Sequence, residues 1–147
     1  MARVRTDLIA IAIALRAETQ DWVRDLGAHH VIDHSQPMAP QIAALRFGAP
    51  AFVFSTTHSD RHLADIAELI APQGRFVLID DPASLDIVAF KRKAVSVHRE
   101  LMFTRSLFDT PDVGERGRLL DAVAELVDEG AFAPRPPKRC HRSMPPI

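Results

Sequence analysis

Asp7-Leu-Ile-Ala-Ile-Ala-Ile-Ala-Leu15 is apolar at every position after its aspartate, on odd and even residues alike. Successive side chains of a strand point to opposite faces, so a run with no polar parity predicts a strand covered on both sides, as in a parallel sheet. Ala51-Phe-Val-Phe-Ser-Thr56 and Arg75-Phe-Val-Leu-Ile79 repeat the pattern. Stretches with helical spacing separate these runs. Ala17 to Leu26 places Trp22, Val23 and Leu26 on one face, with Gly27 at the stop. Pro40 to Leu45 is a brief helix with Ile42 and Leu45 inward. A third helix, capped by Ser59 or Asp60 and running through Ala71, turns Leu63, Ile66, Ala67 and Ile70 inward. The last runs from about Asp112 to Glu129, with Leu119, Leu120, Val123, Leu126 and Val127 as its stripe and Gly130 as its stop.

Ala28-His-His-Val-Ile-Asp33 reads as a short strand, and Ser96 to Phe103 as a strand whose charged centre suits a sheet edge. The expectation is parallel strands near 8–14, 29–32, 51–55, 75–79 and 96–102, and helices near 17–26, 60–71 and 113–129. Alternation of strand and helix implies an α/β fold with right-handed crossovers. No internal repeat is visible.

Composition agrees. The 147 residues are 47% hydrophobic and 25% charged with a net charge of −1, which describes one domain with a core of its own and excludes a collagen-like or disordered chain. No apolar run approaches the roughly eighteen residues of a membrane span, and Met1 to Asp7 lacks a signal-peptide layout. The single cysteine, Cys140, rules out an intrachain disulfide and suits a reducing, cytoplasmic setting. The neutral balance argues against nucleic acid as a partner. Residues 131–147 differ in kind: five prolines and four basic side chains without an acid, leaving 14 basic and 19 acidic residues over 1–130, a net of −5. Such a segment cannot offset its chain entropy by burial, so the sequence predicts a folded unit over 1–130 and a disordered tail over 131–147.

Glu18-Thr-x-x-Trp-x-x-x-Leu-Gly-Ala-x-x-Val-Ile-Asp33 resembles the medium-chain dehydrogenase/reductase superfamily, in which a helix ending in Leu-Gly-Ala leads to a short strand ending in Asp. Asp65-x-x-x-x-Ile-x-Pro-x-Gly-x-Phe-Val-Leu-Ile79 is similar to the helix, turn and fifth strand of that family's nucleotide-binding domain. Thr57 in its Ser-Thr-Thr-His setting and Glu100-Leu-Met-Phe-Thr104 look most like the zinc-type alcohol dehydrogenase-like branch, kin to quinone oxidoreductases. The resemblance covers roughly residues 6–130. It implies NAD(P)H-dependent hydride transfer to or from a small alcohol, carbonyl or quinone, on a Rossmann-like sheet of strand order 3-2-1-4-5-6.

By that resemblance the chain starts just before the second strand. None of its six glycines (27, 48, 74, 114, 117, 130) forms G-x-G-x-x-G, the loop that lets a pyrophosphate approach a helix N-terminus. The expected fold is therefore a partial Rossmann-like, doubly wound parallel sheet lacking the first strand and the glycine-rich loop. The substrate domain that carries the family's catalytic groups is also absent, so no catalytic residue is assigned. The resemblance implies a truncated relative, inactive on its own.

Arg16, after the first apolar run, is the candidate partner for the 2′-phosphate of NADP; the plainer alternative is a solvent-facing charge at a helix start. Ser55, Thr56 and Thr57 follow one strand and Ile79 and Asp80 the next, where cofactors lie beyond carboxyl ends, and Met102 and Phe103 could contact the nicotinamide ring by resemblance. Against this stand local turn hydrogen bonds and a solvated loop. His58 with His62, and His30 with His34, have i, i+4 spacing, but no third ligand accompanies either pair, so zinc is not expected.

The implied strand order leaves Leu8–Ala14 and Ala51–Ser55 with unpaired edges. Three arrangements follow: a gap between two half-sheets, direct pairing across it, or a strand supplied by a partner. A gap is expected, with solution behaviour governed by a homo-oligomer or by the missing N-terminal half. Two functions stand: part of an oxidoreductase's cofactor domain, or a non-catalytic remnant serving as a protein-interaction module.

Overall fold

The computed structural model describes residues 6–131. The proposed tail therefore lies, from residue 132 onward, outside the described residues.

Five strands form in chain order: β1 (Ile11–Ile13), β2 (His30–Ile32), β3 (Phe52–Ser55), β4 (Arg75–Leu78) and β5 (Ser96–Arg99). The helices are α1 (Ala17–Asp25), α2 (Met38–Ala44), α3 (Leu63–Leu69), α4 (Thr104–Leu107) and α5 (Glu115–Asp128), with a 3-10 helix at Ile87–Lys93. Every pairing is parallel, in two separate sheets ordered β1-β2 and β3-β4-β5. The expected α/β architecture is present, and so is the expected gap: β1 and β3 do not pair.

Hydrogen-bond parity shows which way each strand faces. Ala10 O accepts from the N–H groups of His29 (2.9 Å) and His30 (3.3 Å), and Ala14 N–H donates to Ile32 O at 3.0 Å. The even residues of β1 thus serve β2. Alternation turns the N–H and C=O of Ile11 and Ile13 the other way. In β3, Ala51 O accepts from Arg75 N–H at 2.8 Å and Ser55 O from Ile79 N–H at 3.1 Å. Odd residues there serve β4, and the backbone groups of Phe52 and Phe54 face away from it. Two open edges result.

The core lies on one side of the sheets. Ile32, Phe76 and Leu78 pack with Met38 and Ile42 of α2, with Leu63, Ile66 and Leu69 of α3, and with Ile70 and Phe90. Phe76 and Phe90 rings lie 5.4 Å apart. Lys93 Nζ reaches back to donate to the carbonyls of Glu68 (2.6 Å) and Ile70 (2.7 Å), satisfying groups the end of α3 leaves free. Gly74 permits the turn into β4, since a Cβ there would sit 2.8 Å from Ala71 O and from Ile70 Cγ1.

Several expectations are corrected. The apolar run at 8–15 is not covered on both faces: Leu8, Ile9, Ile13 and Leu15 are about half exposed. On β3, Phe52 is 56% and Phe54 63% exposed, with only the Arg75 guanidinium above the Phe52 ring at 5.9 Å. Trp22 of α1 and Leu26 at its end are each 39% exposed, and Leu119 and Leu120 of α5 are more than half exposed, while Leu126 on the same stripe is buried. β1 is shorter than expected since β2 offers it three partners. β5 is an edge strand, as its charged centre suggested, but ends at Arg99; beyond Glu100 N–H to Leu78 O, β4 has nothing left to pair. Residues 101–103 turn instead into α4. The third helix begins at Leu63 rather than at 60, with His62 as its uncapped first flank.

Candidate functional site

Parallel strands send all carboxyl ends of a sheet the same way. His34, two residues past β2, meets His62, ahead of α3, ring edge to ring face at 5.6 Å. The two sheets therefore share one carboxyl end, where ligands of open α/β sheets bind. Between the open edges lies a cleft of about 460 Å³, walled by Ile11 and Ile13 on one side and by Phe52 and Phe54 on the other. Ser55, Thr56, Thr57 and His58 form its polar rim, with His34 and His62 beside them. This volume falls in the range of small-molecule sites, and an apolar trough with few polar groups is their usual make-up.

A three-residue latch shapes that rim. Ser59 is fully buried. Its hydroxyl lies 2.5 Å from Asp80 Oδ1 and 2.7 Å from Ser55 Oγ, and its N–H donates to Asp80 Oδ2 at 2.9 Å. A carboxylate only accepts, so the Ser59 hydroxyl donates to Asp80 and the Ser55 hydroxyl donates to Ser59. Both Ser59 hydrogen bonds, side chain before backbone, hold the Asp80 carboxyl below its ordinary value. The latch ties the end of β3 to the end of β4 across a loop in which His58 adopts φ 53°, a left-handed conformation that tertiary bonds must maintain. Thr56 and Thr57 are left exposed, and their hydroxyls make no hydrogen bond among the described residues.

A second clamp fixes the opposite rim. Gln41 of α2 accepts Asp33 N–H at 2.9 Å and donates to Asp33 O at 2.8 Å. Ser35 N–H donates to Asp33 Oδ1 at 2.8 Å, and hydrogen bonding by Ser35, from backbone and then side chain, lowers the Asp33 pKa.

The structure brings only some of the expected residues together. Ser55, Thr56 and Thr57 line the cleft, and Asp80 reaches it through Ser59; Ile79 follows β4 half-exposed. Arg16 flanks α1 at the end of β1, exposed and outside the cleft lining. Met102 and Phe103 stand exposed beyond β5, where Arg116 lies over the Phe103 ring at 5.2 Å. Ser59 does not cap a helix, because its hydroxyl is spent on Asp80. The histidines regroup: His34 meets His62, while the His30 ring lies tilted against Phe47, centroids 5.0 Å apart. Among the described residues no three His, Cys, Asp or Glu side chains are placed to hold a metal, so this donor set does not fit zinc. No helix among them is long and apolar enough to cross a membrane.

Residues 26–141 match the zinc-binding dehydrogenase family. The chain belongs to that family. As a zinc-binding dehydrogenase family member it is 69% identical to a protein from Rhizobium etli CFN 42 assigned as a zinc-dependent alcohol dehydrogenase, whose crystal structure superposes with a TM-score of 0.87 over 89% of this chain and 38% of that one. An alcohol dehydrogenase superfamily protein from Novosphingobium aromaticivorans shares the fold, with 21% identity and a TM-score of 0.78 over 94% of this chain and 41% of that one. A zinc-type alcohol dehydrogenase-like protein of Staphylococcus aureus is 27% identical over 88% of this chain. The chain spans about two fifths of these relatives, 39% in the Staphylococcus case.

Proposed function

We propose that this chain supplies part of the cofactor-binding domain of an NAD(P)H-dependent oxidoreductase acting on a small alcohol, carbonyl or quinone. The observation that carries the reading is the cleft at the shared carboxyl end, apolar in its walls and rimmed by two unengaged threonine hydroxyls. The nicotinamide half of a cofactor fits such a place; the cofactor itself would supply hydride chemistry, and the protein orientation and exclusion of water. Thr56 and Thr57 would hydrogen-bond the carboxamide or ribose. The Ser55–Ser59–Asp80 latch would hold them in place, with Ile79 along the approach. Arg16 would meet a 2′-phosphate and thereby favour NADP, and Met102 and Phe103 would border the ring side only by moving from where they stand. The pyrophosphate finds no glycine cradle in residues 1–147. Binding to this chain alone is therefore weak and turnover absent. The setting proposed is cytoplasmic.

Fluorescence titration with NADPH and NADH tests this. The expected result is weak binding of both, with Arg16→Ala weakening NADPH more than NADH. A micromolar Kd for the chain alone would overturn the weak-binding argument, and equal losses would remove Arg16 from its role. A second reading, an interaction module without cofactor, is favoured by the bare apolar edges.

A further inference from the structure

We infer that His29 is a proton-operated fastening for the start of β1: the neutral ring holds the strand's lead-in against β2, and the protonated ring releases it. The hydrogen-bond ladder shows why a side chain is needed there. Ala14 N–H donates to Ile32 O at 3.0 Å, and β1 runs parallel to β2 with Ile11 opposite His30. The same offset would give Ala10 N–H the carbonyl of Ala28. Ala28 belongs to the turn that ends α1, where its own N–H is given to Val23 O at 2.9 Å, and its carbonyl makes no bond to Ala10. The His29 imidazole takes that carbonyl's place. Its Nδ1 accepts Ala10 N–H at 3.0 Å, while the His29 backbone N–H donates to Ala10 O at 2.9 Å. One residue thus closes on both polar groups of Ala10.

Only the neutral ring can do this. A backbone N–H needs a lone pair, so Nδ1 must be bare and the ring's one proton must sit on Nε2. The imidazolium donates from both nitrogens and accepts at neither, so no rotation of the ring restores the bond. Histidine is the side chain that changes charge between about pH 5 and 8, and His29 is exposed, free to take its proton from solvent. Once released, Ala10 N–H turns to water, and the lead-in that carries Ile9 into the cleft wall loses one of its fixings. The elements flanking β2 are β1, α1 and α2. Asp7 leads into β1, α1 brings Glu18, Asp21, Arg24 and Asp25, and α2 brings no charge; His30, Asp33 and His34 lie on β2 and just past it. Arg24 is paired with Asp21 at 3.0 Å, Asp33 accepts from Ser35, and the His30 ring lies against Phe47. Among the described residues none of these groups forms an ion pair with His29. The ring's own proton decides the bond.

This inference does not rest on the cofactor reading, and its test needs no nucleotide. Amide and ring resonances of the full chain are followed by NMR from about pH 8 to about pH 5, with exchange rates corrected for the intrinsic pH dependence of each amide. As His29 takes up its proton, Ala10 protection should fall about two- to ten-fold, the change expected for losing one exposed neutral hydrogen bond. The Ala10 amide shift should move with the same midpoint as the His29 ring. Ala14, bonded to a backbone carbonyl, should keep its protection. His29→Asn offers an amide oxygen near the same place and has no proton to gain, so it should hold Ala10 at the neutral level throughout. His29→Ala should give the acid level at every pH. An Ala10 amide that ignores the His29 titration would overturn the inference. So would a pH response that survives in His29→Asn, which would assign it to Asp7, His30 or another group. An equal loss of protection along all of β1 and β2, the mark of general unfolding, would overturn it too.

Discussion

Replacing Asp80 by alanine removes both acceptors of the Ser59 latch at once. Ser59 is fully buried, so its N–H loses a 2.9 Å charge-assisted bond and finds no water in exchange. Its hydroxyl can turn to Ser55, 2.7 Å away, and recover part of the loss. Hydrogen bonds to charged groups contribute about 1.5–3 kcal/mol, and an orphaned buried donor costs about 1–3 kcal/mol, so with partial recovery the net loss should be about 2–3 kcal/mol. Urea unfolding followed by circular dichroism measures it. Ser59→Ala, with the double variant, closes a cycle whose coupling should exceed about 1 kcal/mol, since the two side chains touch. The pH dependence has a definite sign. Because the folded carboxyl is held low, its contribution is complete above the unfolded value of about 3.9 and disappears as pH falls through the lower folded value. The gap in stability between the parent chain and Asp80→Ala should thus close in acid. A loss below about 0.5 kcal/mol at neutral pH, the level of an ordinary surface change, would refute the latch.

Three further outcomes follow from the core and its caps. Gly74→Ala should lower stability by about 1–3 kcal/mol, because its Cβ has no room beside Ala71 O and Ile70; an unchanged urea midpoint would contradict the close approach. Phe76→Ala, at the most buried position of β4, should cost about 3–5 kcal/mol by the same assay, and less than 1 kcal/mol would show that the core lies elsewhere. Lys93→Met keeps the aliphatic stem while removing two bonds to the end of α3, and should cost about 1–2 kcal/mol with faster amide exchange in α3 alone. A uniform change of exchange across the chain would argue against a local cap.

The fold was legible where hydrophobicity runs without interruption. Phe76 and Leu78 sit in a stretch that only a buried strand explains, and the glycines at 27 and 130 mark helix ends at φ 96° and 70°. What escaped the sequence is how far each apolar face is covered. Trp22, Leu26, Leu119 and Leu120 have the spacing of buried stripes, yet periodicity says only which side is apolar and not whether anything packs there. The site was half legible. Thr56 and Thr57 follow from the rule of carboxyl ends. Ser59, adjacent to an aspartate ahead of a helix, carries the local signature of a cap, and its true partner lies 21 residues on. The meeting of His34 with His62 is similarly long-range: i, i+4 spacing pointed each histidine toward the wrong partner.

The central claim is that the carboxyl end of the cleft receives the nicotinamide half of a cofactor. Amide chemical-shift mapping of the full chain during addition of NADPH tests it most directly. The predicted result is a set of shifts centred on Thr56, Thr57 and His58, extending to Asp80 and to Ile13 across the cleft, with α5 unmoved. Shifts confined to residues beyond β5, or none at millimolar NADPH, would contradict it.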